Sequence, residues 1–110
     1  MGSVFNAACS CGYLGSTTVG AGRSDFKTNS TFPFYCAKCG MVSANITVPT
    51  PVCPDCKSTD LKPYGRSPIS PDGSDSYFMQ WGKYRAGKGG HLCPKCKENT
   101  MVFERYMMFD

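Results

Sequence analysis

Eight cysteines in four closely spaced pairs are the residues of this sequence best suited to chemistry. Two cysteines at a tight turn direct both sulfurs to one side, where they can bind the same ion. Two such turns facing each other supply the four thiolates of a tetrahedral metal site. The spacing therefore predicts two metal sites, with ligands from Cys9 and Cys11, Cys36 and Cys39, Cys53 and Cys56, and Cys93 and Cys96.

The residues next to the cysteines also favour such turns. Gly12 and Gly40 directly follow the first two pairs, at a position where a positive φ is common and glycine is favoured. Pro54 and Pro94 lie inside the last two pairs, and their fixed φ helps to form the turn. The first pair departs from the pattern, since only Ser10 separates its two cysteines, and a tighter turn is expected there.

Residues 34–56 resemble the zinc-ribbon and rubredoxin-like group of proteins. A first turn ends in glycine, a second turn contains proline, and thirteen residues including that glycine separate Cys39 from Cys53. The segments around the first and last cysteine pairs look like another first and second turn. The resemblance implies two structural zinc ions, with the iron of rubredoxin-like electron carriers as the less favoured alternative. It implies a small, metal-stapled, mainly β fold with two zinc-ribbon-like sites, short antiparallel strands and long loops.

Three arrangements of the four pairs are compatible with the sequence. In the nested arrangement the two middle pairs hold one ion and the first and last pairs hold the other. In the sequential arrangement the first two pairs and the last two pairs form the sites, and in the crossed arrangement alternate pairs do. The nested arrangement predicts a single compact domain over residues 1–110, whereas the sequential one predicts two small lobes, 1–48 and 49–110.

The composition indicates that the core needs a staple. Leu, Ile, Val and Phe make up about 16% of the 110 residues, below the roughly 20% of self-sufficient globular chains. Four disulfides are the alternative to metal, but they persist mainly in oxidising compartments. Residues 1–8 lack the charged start and apolar run of a secretory signal, and no stretch is apolar enough to span a membrane. We therefore predict a cytoplasmic protein that does not enter a membrane.

The charge pattern suggests one candidate binding surface. The formal charge is +4, but metal-bound thiolates bring the total near zero, so only local charge is informative. Residues 81–97 hold five cations and no acid, interleaved with aromatic side chains, as a nucleic-acid surface requires. A solvated hairpin whose lysines offset thiolate charge is the alternative. The candidate residues are Trp81, Lys83, Tyr84, Arg85, Lys88, Lys95 and Lys97.

Short strands are predicted over residues 13–19, 32–35, 41–48 and 77–84, and residues 100–109 fit either a strand or a short helical turn. Residues 20–30 and 64–76 are predicted to be loose, the second as a hinge or an exposed loop. Residues 103–109 are expected to join the core or to form an apolar patch that docks on a partner, through Phe103, Tyr106, Met107, Met108 and Phe109.

The sequence predicts binding rather than catalysis. Four protein sulfurs close a metal site to substrate water. The single histidine, His91, is expected to be a solvent-facing strand residue, although it lies close enough to Cys93 to replace a ligand. No small-molecule substrate is indicated. We predict a nucleic-acid-binding or transcription-associated module, with a protein-interaction or accessory subunit as the second hypothesis and an electron carrier or thiol redox switch as the third.

Overall fold

A computed structural model describes residues 2–20, 30–66, 69–70, 78–81 and 84–109 of the chain. Its secondary structure consists of eight β-strands, and the described residues contain no helix. Nor does any described segment form a helix long and apolar enough to cross a membrane. The strands are β1 (Gly2–Ala8), β2 (Leu14–Gly20), β3 (Thr31–Cys36), β4 (Gly40–Asn45), β5 (Leu61–Pro63), β6 (Met79–Trp81), β7 (Tyr84–Ala86) and β8 (Val102–Phe109).

Six of these strands form one antiparallel sheet built from two similar units. In the first unit, β1 forms a hairpin with β2 and pairs on its other edge with β8. In the second unit, β3 forms a hairpin with β4 and pairs with β5. The units join where Gly20 pairs with Thr31, and the Thr31 hydroxyl donates to the carbonyl oxygen of Thr18 at 2.8 Å. Both units therefore have a hairpin and a third strand beside the first strand of that hairpin.

A two-stranded sheet, β6 and β7, packs against aromatic residues of the larger sheet. Tyr84 lies with its ring centroid 5.3 Å from Phe32 and 5.6 Å from Phe34. Phe32 is fully buried, as are Tyr64 and Phe103. These few aromatic side chains carry much of the apolar burial that a core short of aliphatic residues needs.

The predicted fold class is confirmed. The chain is small and mainly β, its strands are antiparallel, and two groups of four cysteines are present. The predicted strands match β2, β3 and β4, although β4 ends at Asn45 rather than at residue 48. The single run predicted over residues 77–84 covers β6 and only the first residue of β7, and residues 102–109 form a strand. Strands β1 and β5 were not predicted, since β1 carries few large apolar side chains along its seven residues and β5 has only three residues.

Residues 64–66 and 69–70 form turns and bends, but the exposure predicted for a loop over residues 64–76 is wrong at four of these five positions. Tyr64 is fully buried, and Ile69 and Ser70 are 4% and 5% exposed. Tyr64 donates a hydrogen bond from its hydroxyl to the carbonyl oxygen of Leu92 at 2.8 Å, which ties this segment to the last cysteine turn. Residues 67–68 and 71–77 lie outside the described residues, as do residues 21–29 of the other segment predicted to be loose.

Strand pairing joins distant parts of the chain. β1 pairs with β8, and β3 pairs with β5, so both pairings connect residues on either side of position 48. The choice between one domain over residues 1–110 and two lobes stays a prediction.

Candidate metal centres

The outer group of cysteines forms where the first unit of the sheet turns. Cys9 and Cys11 lie in the turn between β1 and β2, whose backbone N–H of Gly12 donates to the carbonyl oxygen of Cys9 at 2.9 Å. Cys93 and Cys96 precede β8, whose first residue, Val102, pairs with the last residue of β1. The pairing of β8 with β1 therefore brings the last cysteine turn to the first one.

The inner group repeats this arrangement in the second unit. Cys36 ends β3 and pairs with Gly40, so that Cys39 lies in the β3–β4 turn. Cys53 and Cys56 precede β5 in the sequence, and β5 pairs with β3 through Cys36 and Leu61. The structure thus groups the cysteines in the nested arrangement, and the sequential and crossed arrangements do not occur.

The spacing of the sulfur atoms suits a tetrahedral metal ion. In each group all four Sγ atoms lie within 4.8 Å of one another. The Sγ–Sγ distances are 3.7 Å for Cys9–Cys96 and 3.6 Å for Cys11–Cys93. A tetrahedron with Zn–S bonds of about 2.3 Å has sulfurs about 3.8 Å apart. All eight cysteines are free of disulfides, so each group can hold one metal ion.

All four turns end in a residue with positive φ. Gly12 and Gly40 have φ values of 99° and 86°, as their positions after the cysteines predicted. Lys57 and Lys97 occupy the same position after the other two pairs, with φ values of 65° and 63°. A non-glycine residue with positive φ is uncommon. The positive φ of these two lysines was not predicted, because nothing in their residue type indicates a left-handed backbone.

The two proline-containing turns also share their hydrogen bonds. The Cys53 N–H donates to the carbonyl oxygen of Ser58 at 2.9 Å, and the Lys57 N–H donates back to Cys53 at 3.0 Å. The corresponding bonds around Cys93 measure 2.9 Å each. Similar backbone geometry therefore presents the sulfurs in both groups, and this similarity is compatible with zinc-ribbon-like metal sites.

Electrostatics in the outer group favour one thiolate over the others. The backbone N–H of Cys11 and the side chain of Thr100 lower the pKa of Cys9 to about 6. The backbone N–H of Tyr13 lowers the pKa of Cys11, but burial and the neighbouring thiols outweigh it and raise that pKa to about 11. The first thiolate to form therefore suppresses ionisation of its neighbours.

The inner group behaves in the same way. Burial opposes the charged form of Cys53, but the backbone N–H groups of Cys56 and Asp55 outweigh burial and lower its pKa to about 7. The thiol of Cys53, together with burial, raises the pKa of Cys39 to about 12. Four thiolates this close together need a cation among them, and a soft divalent ion meets that need.

His91 is not the solvent-facing residue that the sequence predicted. Its side chain is fully buried, and it is not part of either cysteine group. Its Nε2 lies 2.7 Å from the carbonyl oxygen of Gly87, which can only accept. Nε2 therefore carries the proton, and Nδ1 accepts from the Ser70 hydroxyl at 2.6 Å. Burial lowers the pKa of His91, so the neutral ring serves as a structural link below the last cysteine turn.

Replacing Ser70 with alanine is expected to destabilise the protein. The change leaves the buried Nδ1 of His91 without a donor, which costs about 1–3 kcal/mol. Ser16→Ala is the matched control, because Ser16 is exposed on β2, and a change of no more than about 0.5 kcal/mol is expected there. Denaturant unfolding of the metal-loaded proteins measures both values. Equal stabilities of the two variants would contradict the structural role of the His91–Ser70 bond.

The residues proposed to contact nucleic acid separate into two sets in the structure. Trp81 and Tyr84 are partly buried against the core, and Arg85 is half-buried on β7, whereas Lys88 is exposed. Lys83 lies outside the described residues. Lys95 and Lys97 are exposed in the last cysteine turn. Lys97 contacts Tyr35 of β3, a residue that the sequence did not connect with it.

The C-terminal strand also divides between core and surface. Phe103 is fully buried, whereas Tyr106 is 63% exposed and Met107 is 48% exposed. The side chains of Met108 and Phe109 lie outside the described part of the chain. Phe103 therefore joins the core as expected, whereas docking of a partner on the exposed residues stays a prediction.

Comparison of the chain with protein-family models, with curated proteins and with solved structures finds no match.

Proposed function

We propose that the protein is a non-catalytic zinc-binding module of a reducing, cytoplasmic compartment, whose two structural zinc ions support a nucleic-acid-binding surface. The observation that carries the zinc assignment is the pair of four-sulfur groups, each closed by protein ligands. A site with four thiolates has no open position for a substrate or a reactive water. The metal ions therefore serve the fold, and the function lies on the surface that they organise.

The exposed cations support nucleic acid as the partner. All six described lysines are exposed, and two of them, Lys38 and Lys95, lie between the cysteines of their turns. Binding of zinc by the cysteines holds the backbone of these turns, so their lysines project from fixed points of the chain without a large core. Fixed cations on a small surface bind the regularly spaced phosphates of a nucleic acid through release of its counterions.

The test is binding of the zinc-loaded protein to a fluorescently labelled oligo(dT), followed by anisotropy at several salt concentrations. Binding through about three phosphates predicts a slope of about −2 for the logarithm of the association constant against the logarithm of salt. An oligomer with the same bases on an uncharged backbone is the control, and it should not bind. Absent or salt-independent binding would refute nucleic acid as the partner.

A protein partner is the second candidate function. Tyr106 and Met107 are exposed on β8, which lies at the end of the strand order in the larger sheet. Aromatic and methionine side chains are enriched at protein interfaces. If oligo(dT) fails to bind, this exposed strand becomes the favoured functional surface.

A further inference from the structure

An open cleft of about 280 Å³ lies between the two cysteine groups. Its walls come from the β3–β4 turn of the inner group and from the last turn of the outer group, and Tyr13 also lines it. The two turns meet closely, since a Cβ built on Gly40 would lie 3.1 Å from the Cβ of Pro94. Residues of both cysteine groups therefore form this cleft.

Three lysines line the cleft without an acidic residue among the described lining residues. Lys38 comes from the inner group, and Lys95 and Lys97 come from the outer group. The Lys97 ammonium is held in place, because it donates to the Tyr35 hydroxyl at 3.0 Å and lies 5.4 Å from the centroid of the Tyr35 ring. A cation held in advance loses less entropy when it binds an anion.

The size and lining of the cleft indicate the class of ligand. Its volume is near the lower limit of about 300 Å³ for small-molecule pockets, which suits a unit of the size of one nucleotide rather than a large cofactor. Lysines beside tyrosine rings are the combination that binds the backbone and bases of a single strand.

We propose that this cleft is a phosphate site for single-stranded nucleic acid, formed by Lys38, Lys95 and Lys97. The assignment rests on the proposed nucleic-acid function and places the binding site between the two metal centres. It shares Lys95 and Lys97 with the surface that the sequence suggested and adds Lys38, but Trp81, Tyr84, Arg85 and Lys88 are not among the described residues lining the cleft.

The lysines have a competing explanation, which is that they only offset the negative charge of the thiolates. That role predicts weaker zinc retention when they are replaced, with no effect on a nucleic acid. The cleft proposal predicts weaker oligonucleotide binding with unchanged zinc content. Zinc content and oligonucleotide affinity therefore have to be measured on the same variants.

The experiment compares three variants, each of which removes three positive charges. The first replaces the cleft lysines by Lys38→Gln, Lys95→Gln and Lys97→Gln. The control replaces exposed cations outside the cleft by Lys57→Gln, Lys62→Gln and Arg66→Gln. The third changes the alternative surface by Lys83→Gln, Arg85→Gln and Lys88→Gln. Each zinc-loaded protein is titrated with labelled oligo(dT).

The cleft variant is expected to bind at least about tenfold more weakly at low salt and to reduce the salt slope by about 2, while the control changes little. Since Lys97 also contacts Tyr35, the double variant Lys38→Glu/Lys95→Glu must give the same direction of change with two zinc ions retained. A loss confined to the third variant, an equal loss in the control, or loss of zinc without loss of binding would overturn the cleft assignment. Absence of wild-type binding would instead refute the proposed function.

Discussion

Removing the metal ions is expected to unfold the protein. Cys36, Cys53 and Cys93 are buried. Without a cation between them, neighbouring thiolates in each group repel one another. Structural zinc contributes about 10–16 kcal/mol of apparent binding free energy, which matches or exceeds the roughly 5–15 kcal/mol stability of a small domain. We therefore expect loss of the β-sheet circular dichroism signal when a strong chelator is added under reducing conditions, and its return when zinc is restored.

Controls distinguish metal loss from other effects of the chelator. The same chelator saturated with zinc should leave the structure unchanged. Elemental analysis should find two zinc ions per chain in wild type, and Cys53→Ser should lose the inner ion. Ser10→Ala changes the first cysteine turn without removing a ligand, so it should retain both ions. A native-like spectrum in metal-free protein would contradict the structural role, and bound iron would favour the electron-carrier hypothesis.

Replacing Gly65 with alanine is expected to destabilise the protein strongly, and more than replacing Gly12 does. Gly65 has a φ of 99°, and a Cβ built there would overlap the carbonyl oxygen of Arg85 on β7. The positive φ costs about 1–2 kcal/mol, and the steric overlap adds about 1–3 kcal/mol because backbone must move. The total loss of unfolding free energy is about 2–5 kcal/mol, and it should separate the β6–β7 sheet from the rest of the core.

Gly12→Ala is a closely matched control. Gly12 also has a φ of 99°, but a Cβ built there meets nothing within 4 Å. Only the backbone cost of about 1–2 kcal/mol applies to it. Denaturant unfolding of both zinc-loaded variants measures the difference, which isolates the close approach of β7 to Gly65. Equal losses in the two variants would show that this contact does not stabilise the fold.

Local residue types were enough to predict the strands that are rich in aromatic or β-branched side chains. Phe32 and Phe34 mark β3, and the valine and threonine residues of β2 mark that strand. β1 was missed, although it is the central strand of the first unit, because its buried side chains at Phe5 and Ala7 give a weak alternation. β1 holds the first unit together by pairing with both β2 and β8. Such pairing cannot be predicted from the residues of one segment alone.

The cysteine spacing by itself predicted the eight candidate ligands and two four-sulfur groups, whereas the short runs of aromatic and β-branched residues predicted the mainly β character of the chain. The ligand turns could be predicted because a close cysteine pair and the glycine after it are adjacent in the sequence. Which pairs share an ion was decided by the pairing of β8 with β1 and of β5 with β3. These pairings depend on the whole sheet, so the sequence left three arrangements open.

The surroundings of single side chains were likewise decided by the tertiary structure. His91 is buried because a hydroxyl from Ser70 and a carbonyl from Gly87 satisfy both of its ring nitrogens, and these partners are not evident from its neighbours in the sequence. Lys38 and Lys95 are 57 positions apart in the sequence, yet they line one cleft. Residue types and spacing determine local turns and ligand chemistry, whereas burial and surface clustering depend on long-range packing of the complete chain.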